Sequence, residues 1–301
     1  MIINILILVV GFILLIKGAD IFVDGASNLA LNLHVSKILI ALTIVAFGTS
    51  APELAVSLKG IISNTSDIVI GNVIGSNIIN ILLVLGISSL FRKIKISNNT
   101  RLFEIPFLLI YTLEFMILIS DGIISKCDSI LILLMFLIFI IYLVFISRKK
   151  SLYESPEFGI IKSILFIFVG LISLIYGSNI VVDSSVIIAS TLNVSQRIIS
   201  LTIVAFGTSL PELITSITAS IKKESDIALG NIIGSNIFNI GAVIGLPSLI
   251  KSINCTFNII DVLVMLLSVI TLCVIKKLNY KNGIIMIIIF IVYYSYVIGG
   301  I

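Results

Sequence analysis

Histidine, cysteine and charge are all scarce in this chain. There is one histidine, His34, and there are three cysteines, Cys127, Cys255 and Cys273, without regular spacing. That excludes a disulfide framework and a thiol-rich metal knot. Only 11% of the 301 residues are charged, whereas 59% are hydrophobic and the mean hydropathy is +1.28. A soluble protein of this length has no means of hiding so much apolar surface, so the composition points to an integral membrane protein. The net charge of +4 does not imply nucleic-acid binding, because the basic residues fall in short segments between apolar runs. The N-terminus is apolar at once and no small-residue cleavage site follows a short core. It reads as a first span, not as a removed signal peptide.

A span needs about 20 apolar residues. Ten runs qualify: 2–30, 37–62, 67–91, 103–121, 128–147, 159–191, 196–221, 226–250, 257–275 and 283–300. The sixth, at roughly 50 Å as a helix, exceeds the hydrocarbon thickness and must tilt. The first is similarly long. Alternate loops on one side carry fourteen basic residues: Lys37; Arg92, Lys93, Lys95 and Arg101; Arg148, Lys149, Lys150 and Lys162; Lys222 and Lys223; Lys276, Lys277 and Lys281. The other side carries four, Lys59, Lys126, Arg197 and Lys251. The richer side is expected to be cytoplasmic, which puts both termini outside the cell membrane.

The chain repeats itself. "LTIVAFGTS" at 42–50 recurs at 201–209, and adding 159 also maps Gly11 to Gly170, Gly18 to Gly177, Asp24 to Asp183, Asp67 to Asp226 and Asn80 to Asn239 without a gap. Two units follow, 1–150 and 151–301, each with five spans. Five is odd, so the second unit is expected to enter the membrane inverted. That is a recurrent transporter plan with its substrate site near the midplane. The expected fold is therefore all-α, with ten membrane helices in two inverted repeats and broken helices at an ion site.

The breaks fall in "VAFGTSAPEL" (45–54) and "VAFGTSLPEL" (204–213). Glu53 lies near the middle of its span, where an unpaired carboxylate costs at least ~2.5 kcal/mol. Lys59, six residues on, lies on another helical face and is a poor partner. Pro52 has no N–H and crowds the carbonyl of Gly48, so carbonyls around Ala46 to Thr49 are expected to lose helical partners. The first half-helix ends there with its negative pole. Free carbonyls, the Thr49 and Ser50 hydroxyls and a carboxylate together suit a cation. The next span adds a second wall, because Asn72, Ser76 and Asn80 share one helix face. Asn231, Ser235 and Asn239 repeat it. Every one of these groups is an oxygen donor, which suits hard cations such as Ca²⁺ and Na⁺ and argues against Zn²⁺ or copper. Two glutamates carry −2, which one Ca²⁺ balances. Gly71, Gly75, Gly230 and Gly234 read as close-packing positions.

The paired motifs "GTSAPEL" with "GNVIGSNIIN" and "GTSLPEL" with "GNIIGSNIFN" resemble the alpha-repeats of the calcium/cation antiporters, and within them the prokaryotic, archaeal sodium/calcium exchangers. The resemblance spans nearly the whole chain. It implies alternating access and exchange of about three Na⁺ for one Ca²⁺. It also implies cation ligands at Glu53, Glu212, Thr49, Ser50, Thr208, Ser209, Ser76, Asn80 and Ser235 and at the carbonyls of Ala46 and Ala205, with Asn239 as the mate of Asn80. Many members carry aspartate at one of the two positions that are Asn80 and Asn239 here. The long first and sixth helices resemble the family's pair that slides across the core. The short 148–158 loop leaves no room for the large regulatory domain of animal exchangers.

On this reading the protein is not an enzyme and needs no cofactor. Its partners are Ca²⁺, Na⁺ and the lipid bilayer, with no nucleic acid, and the expected state is a monomer. A calcium/proton antiporter using the same glutamates is the nearest alternative. A cation channel is a different class, disfavoured by the inverted pair of broken helices. An intramembrane hydrolase would need a base near Ser50, and the sequence places no histidine or lysine beside it.

Overall fold

The computed structural model describes residues 2–63, 66–146, 155–192, 205–255, 257–275 and 277–299. Arg148, Lys149, Lys150, Arg197, Lys276 and most of the start of the seventh expected span lie outside the described residues.

The architecture is helical throughout. The helices are α1 (Ile2–Asn32), α2 (Lys37–Thr49), α3 (Ala51–Ile62), α4 (Ile68–Phe91), α5 (Ile105–Leu118), α6 (Lys126–Ile146), α7 (Ile160–Thr191), α8 (Leu210–Ile221), α9 (Ser225–Ile250), α10 (Ile259–Val274) and α11 (Tyr280–Gly299). Among the described residues six of these, α1, α4, α6, α7, α9 and α11, are long and apolar enough to cross a membrane. The bent pair α2–α3 makes a seventh. The expected spans at 103–121 and 257–275 are represented by the shorter helices α5 and α10. Residues such as Ile117, Phe145, Ile161 and Val274 are more than two-thirds exposed. A continuous apolar exterior of this kind is stable only against lipid.

The interior belongs to α4 and α9. The apolar stretch of α9 is wholly buried, as expected for a helix that is hydrophobic all round. Both helices widen into π-helical turns, at Ile79–Leu85 and Asn239–Ile244, and such turns are frequent at functional sites.

The two long helices α1 and α7 pack along each other in antiparallel fashion. Gly11 lies against Ile180 and Val181, Gly18 against Gly170 and Ser173, and Gly25 against Ile167. A methyl on Gly18 would stand 2.7 Å from the Ser173 Cβ, so the glycine stripe lets the backbones approach closely.

Contacts between the halves are reciprocal. Four two-residue strands, β1 (Ile94–Lys95), β2 (Ile123–Ile124), β3 (Ile253–Asn254) and β4 (Lys277–Leu278), form two antiparallel bridges. β1 pairs with β4 and β2 with β3. Adding 159 to 94 gives 253, so the first strand of one half pairs with the second strand of the other, twice.

Candidate functional site

The local break between α2 and α3 follows the sequence. Ser50 leaves helical geometry at φ −86° and ψ 7°, Pro52 stands in the first turn of α3, and the two segments meet at 45°. Ser209 and Pro211 repeat this before α8. One expectation needs correcting. The Ala46 carbonyl is not orphaned, because it accepts from the Ser50 N–H at 3.0 Å and from the Thr49 hydroxyl at 3.4 Å. The turn closes locally instead of opening. In the second copy the Ser209 N–H reaches Phe206, one residue nearer, at 3.1 Å. The carbonyl that Pro211 deprives of its N–H, at Gly207, accepts from the Ser178 hydroxyl of α7 at 2.7 Å.

Glu53 and Glu212 are both fully buried. The segments come together across the halves. The Ser50 hydroxyl donates to Glu212 Oε1 at 2.9 Å. Thr49 Oγ1 donates to Asn231 Oδ1 at 3.0 Å and lies 3.4 Å from Ser235 Oγ, while Ser209 Oγ donates to Ser76 Oγ at 3.4 Å. α3 packs on α4 and on the π-helical turns of α9, and α8 packs on α9 and on those of α4. Thr208 lies in the wall of a cavity shared with Ser76. Ala205 begins the short turn Ala205–Gly207 that leads to this region.

The asparagines have divided roles. Asn72 Nδ2 donates to the Glu53 carbonyl at 3.2 Å and to Ser57 at 3.4 Å. Asn231 Nδ2 donates to Ser216 at 3.0 Å and to the Glu212 carbonyl at 3.5 Å. These two clamp the broken helices. Asn80 Nδ2 donates to Asn236 Oδ1 at 3.1 Å and Asn239 Nδ2 to Asn77 Oδ1 at 3.0 Å. Asn77 and Asn236 exchange bonds with each other's backbone carbonyl at 3.4 Å. The amide nitrogens of Asn80 and Asn239 are thereby held, and their oxygens are left over.

Those leftovers define the chemistry. Among the described residues, both carboxylate oxygens of Glu53, Oε2 of Glu212, Oδ1 of Asn80 and Oδ1 of Asn239 are buried without a hydrogen-bond partner. All five are acceptors. A buried acceptor left unpaired costs about 1–3 kcal/mol, and more when charged. These carboxylate and amide oxygens, left over once Ser50 has bonded Glu212 Oε1, suit an oxygen-seeking cation. The sequence left Asn77 and Asn236 evenly balanced between structural bonding and ligation, and it did not single out Ser178. The exact repeat of Asn77 at Asn236 was the available signal for that pair. Ser178 had none, because its mate is Ala19.

A helical membrane protein with repeated broken helices and an anionic, all-oxygen interior is an ion transporter by class. The sodium/calcium exchanger protein family matches residues 3–147 and 162–299, and the chain belongs to that family. It is 36% identical over 255 residues to the inner membrane protein YrbG of Escherichia coli, covering 81% of this chain and 78% of YrbG. It is 31% identical over 290 residues to the sodium/calcium exchanger MaX1 of Methanosarcina acetivorans, covering 82% and 83%. Its fold matches the solved structure of the sodium-calcium exchanger NCX_Mj soaked with Na⁺ and Ca²⁺. The TM-score is 0.87 at 32% identity, over 98% of both chains. The family is one of exchangers, not of enzymes, so the multi-pass protein is an antiporter and its transported ions fit Na⁺ and Ca²⁺.

Proposed function

We propose that this chain exchanges about three Na⁺ for one Ca²⁺ by alternating access. The observation that carries this reading is the set of five unpartnered buried oxygens on Glu53, Glu212, Asn80 and Asn239. Their charge of −2 balances one Ca²⁺, and calcium takes 6–8 oxygens, which the set approaches with Thr49, Ser50, Thr208, Ser209, Ser76, Ser235 and the Ala46 and Ala205 carbonyls as further ligands. Ten spans in two inverted units, 1–150 and 151–301, with both termini outside, are part of the same proposal. The antiparallel run of α1 and α7 and the crossed strand bridges support the inversion. The protein is proposed to work as a monomer in the cell membrane.

The test is ⁴⁵Ca²⁺ uptake into sodium-loaded proteoliposomes. An outward sodium gradient should drive uptake at fixed pH, and a proton gradient without sodium should not. Uptake driven by protons alone would assign the protein to calcium/proton exchange. Three-for-one exchange moves one net charge, worth ~2.3 kcal/mol per 100 mV, so an imposed potassium–valinomycin potential should shift the final calcium gradient. A voltage-independent gradient would remove the stoichiometry.

A further inference from the structure

The two halves share their motif residues, and the described residues around them differ. A cavity of about 530 Å³ reaches Ser76 and Thr208 from the face where α4 and α10 begin and α11 ends. Gly71 and Gly75 line it, and among the described residues a methyl on either would meet nothing within 4 Å. Their mates Gly230 and Gly234 are sealed. A methyl on them would stand 2.6 Å and 2.7 Å from the Cβ atoms of Ala41 and Ala46 on α2. Among the described residues, α2 closes one approach to the glutamates, and the cavity leads in along the other.

Among the described residues the open cavity has one carboxylate in its wall, Asp261, in the first turn of α10. Its Oδ1 accepts from the Tyr293 hydroxyl, near the end of α11, at 3.0 Å. The shut side carries the same arrangement. Glu104, at the start of α5, accepts from the Tyr142 hydroxyl, near the end of α6, at 3.1 Å. Glu104 is 2% exposed, and among the described residues its Oε2 has no hydrogen-bond partner. Each half thus sets one carboxylate–tyrosine pair between its last two helices.

We propose that Asp261 and Glu104 are the entry carboxylates of the two alternating pathways. Each is the first anionic contact of an incoming cation on its own side. Asp261 serves the side open in this structure, and Glu104 serves the other when α2 withdraws. The inference rests on the exchanger reading above and adds two residues to it. A carboxylate in a narrow, low-dielectric mouth focuses the field and raises local cation concentration by 10- to 10³-fold, whereas a bilayer-buried acid without such a task is costly. The competing role is structural, an acidic first-turn residue that tethers a neighbouring helix through tyrosine.

Right-side-out and inside-out membrane vesicles separate the two. Asp261→Asn should raise half-saturating Ca²⁺ about tenfold when calcium is offered from the outer face and leave the inner-face value unchanged. Glu104→Gln should do the reverse. Asp261→Glu should retain the native value, and Tyr293→Phe, which keeps the charge, should behave as the native protein. Equal shifts from both faces, no shift from either, or a Tyr293→Phe effect as large as that of Asp261→Asn would each overturn the proposal while the native protein still exchanges. A native protein that shows no sodium-driven exchange would instead defeat the exchanger reading, and the entry carboxylates with it.

Discussion

The Ser50 hydroxyl donates a 2.9 Å hydrogen bond to the Glu212 carboxylate, so the break in one half holds the charge of the other. The mate of this bond falls short of hydrogen-bond geometry. Ser209 donates to Ser76, and the Thr208 and Ser209 hydroxyls only face the Glu53 carboxylate. A hydrogen bond to a charged group contributes about 1.5–3 kcal/mol. Ser50→Ala should therefore weaken calcium binding roughly tenfold or more, and Ser209→Ala should weaken it less. Titration of the purified variants with Ca²⁺ measures both, and equal losses would contradict the asymmetry.

Asn77 and Asn236 should matter as much as the residues they hold. Each accepts from the amide of Asn239 or Asn80 and so keeps that amide's oxygen free for a cation. Asn77→Ala or Asn236→Ala leaves a buried N–H₂ unpaired and lets the amide rotate, at about 1–3 kcal/mol. The expected result is a tenfold or larger rise in half-saturating Ca²⁺ with the fold retained. Native affinity in either variant would show that the Asn80 and Asn239 oxygens take no part.

Identical glycines should respond differently. Gly71→Ala places its methyl where no described residue stands within 4 Å, whereas Gly230→Ala drives it to 2.6 Å from Ala41. Overpacking costs typically ~1–3 kcal/mol. Thermal unfolding in detergent should show Gly230→Ala destabilised and Gly71→Ala unchanged. Equal effects would mean that the two approaches are equivalently packed.

This contrast marks where the sequence stops being informative. The repeat at offset 159 was legible, and with it Glu53, Glu212 and the asparagine faces. The break at Pro52 was legible because proline cannot donate. The π-helical turns at Asn80 and Asn239 were not, since a change of hydrogen-bond register leaves no residue signature. The Ala46 carbonyl keeps local partners because the turn closes through the Ser50 N–H and the Thr49 hydroxyl, which the sequence did not show. Gly71 and Gly230 read alike in sequence, and the close approach of α2 to Gly230 leaves no signature there. The Asp261–Tyr293 and Glu104–Tyr142 pairs were invisible because neither fits the offset. Leu263 stands 159 residues after Glu104, not an acid.

On the basic face α1 is tied to the turn between α8 and α9. Lys222 Nζ stands 2.7 Å from Asp20 and 2.6 Å from Asp24. Glu224 accepts from Lys37 at 2.9 Å and from Ser27 at 3.0 Å. Burial pulls the Lys222 ammonium down, but its hydrogen bonds to Asp20 and Asp24 outweigh that and hold its pKa above the ordinary lysine value. A pKa raised in the folded state stabilises below the unfolded value and is lost as pH climbs through the folded one. The tie should therefore be constant from about pH 6 to 9 and fade only above about pH 10. Lys222→Met should speed amide hydrogen exchange at residues 221–224 at neutral pH. Unchanged exchange would show that the contact contributes nothing.

The account stands most directly on the two glutamates. Each supplies half of the charge that holds calcium in a buried site where water does not replace it. The measurement is sodium-driven ⁴⁵Ca²⁺ uptake by reconstituted Glu53→Gln and Glu212→Gln, beside size-exclusion profiles that establish folding. Both variants should remain folded and take up no calcium above sodium-free controls. Uptake at the native rate by either one would contradict a shared two-carboxylate site.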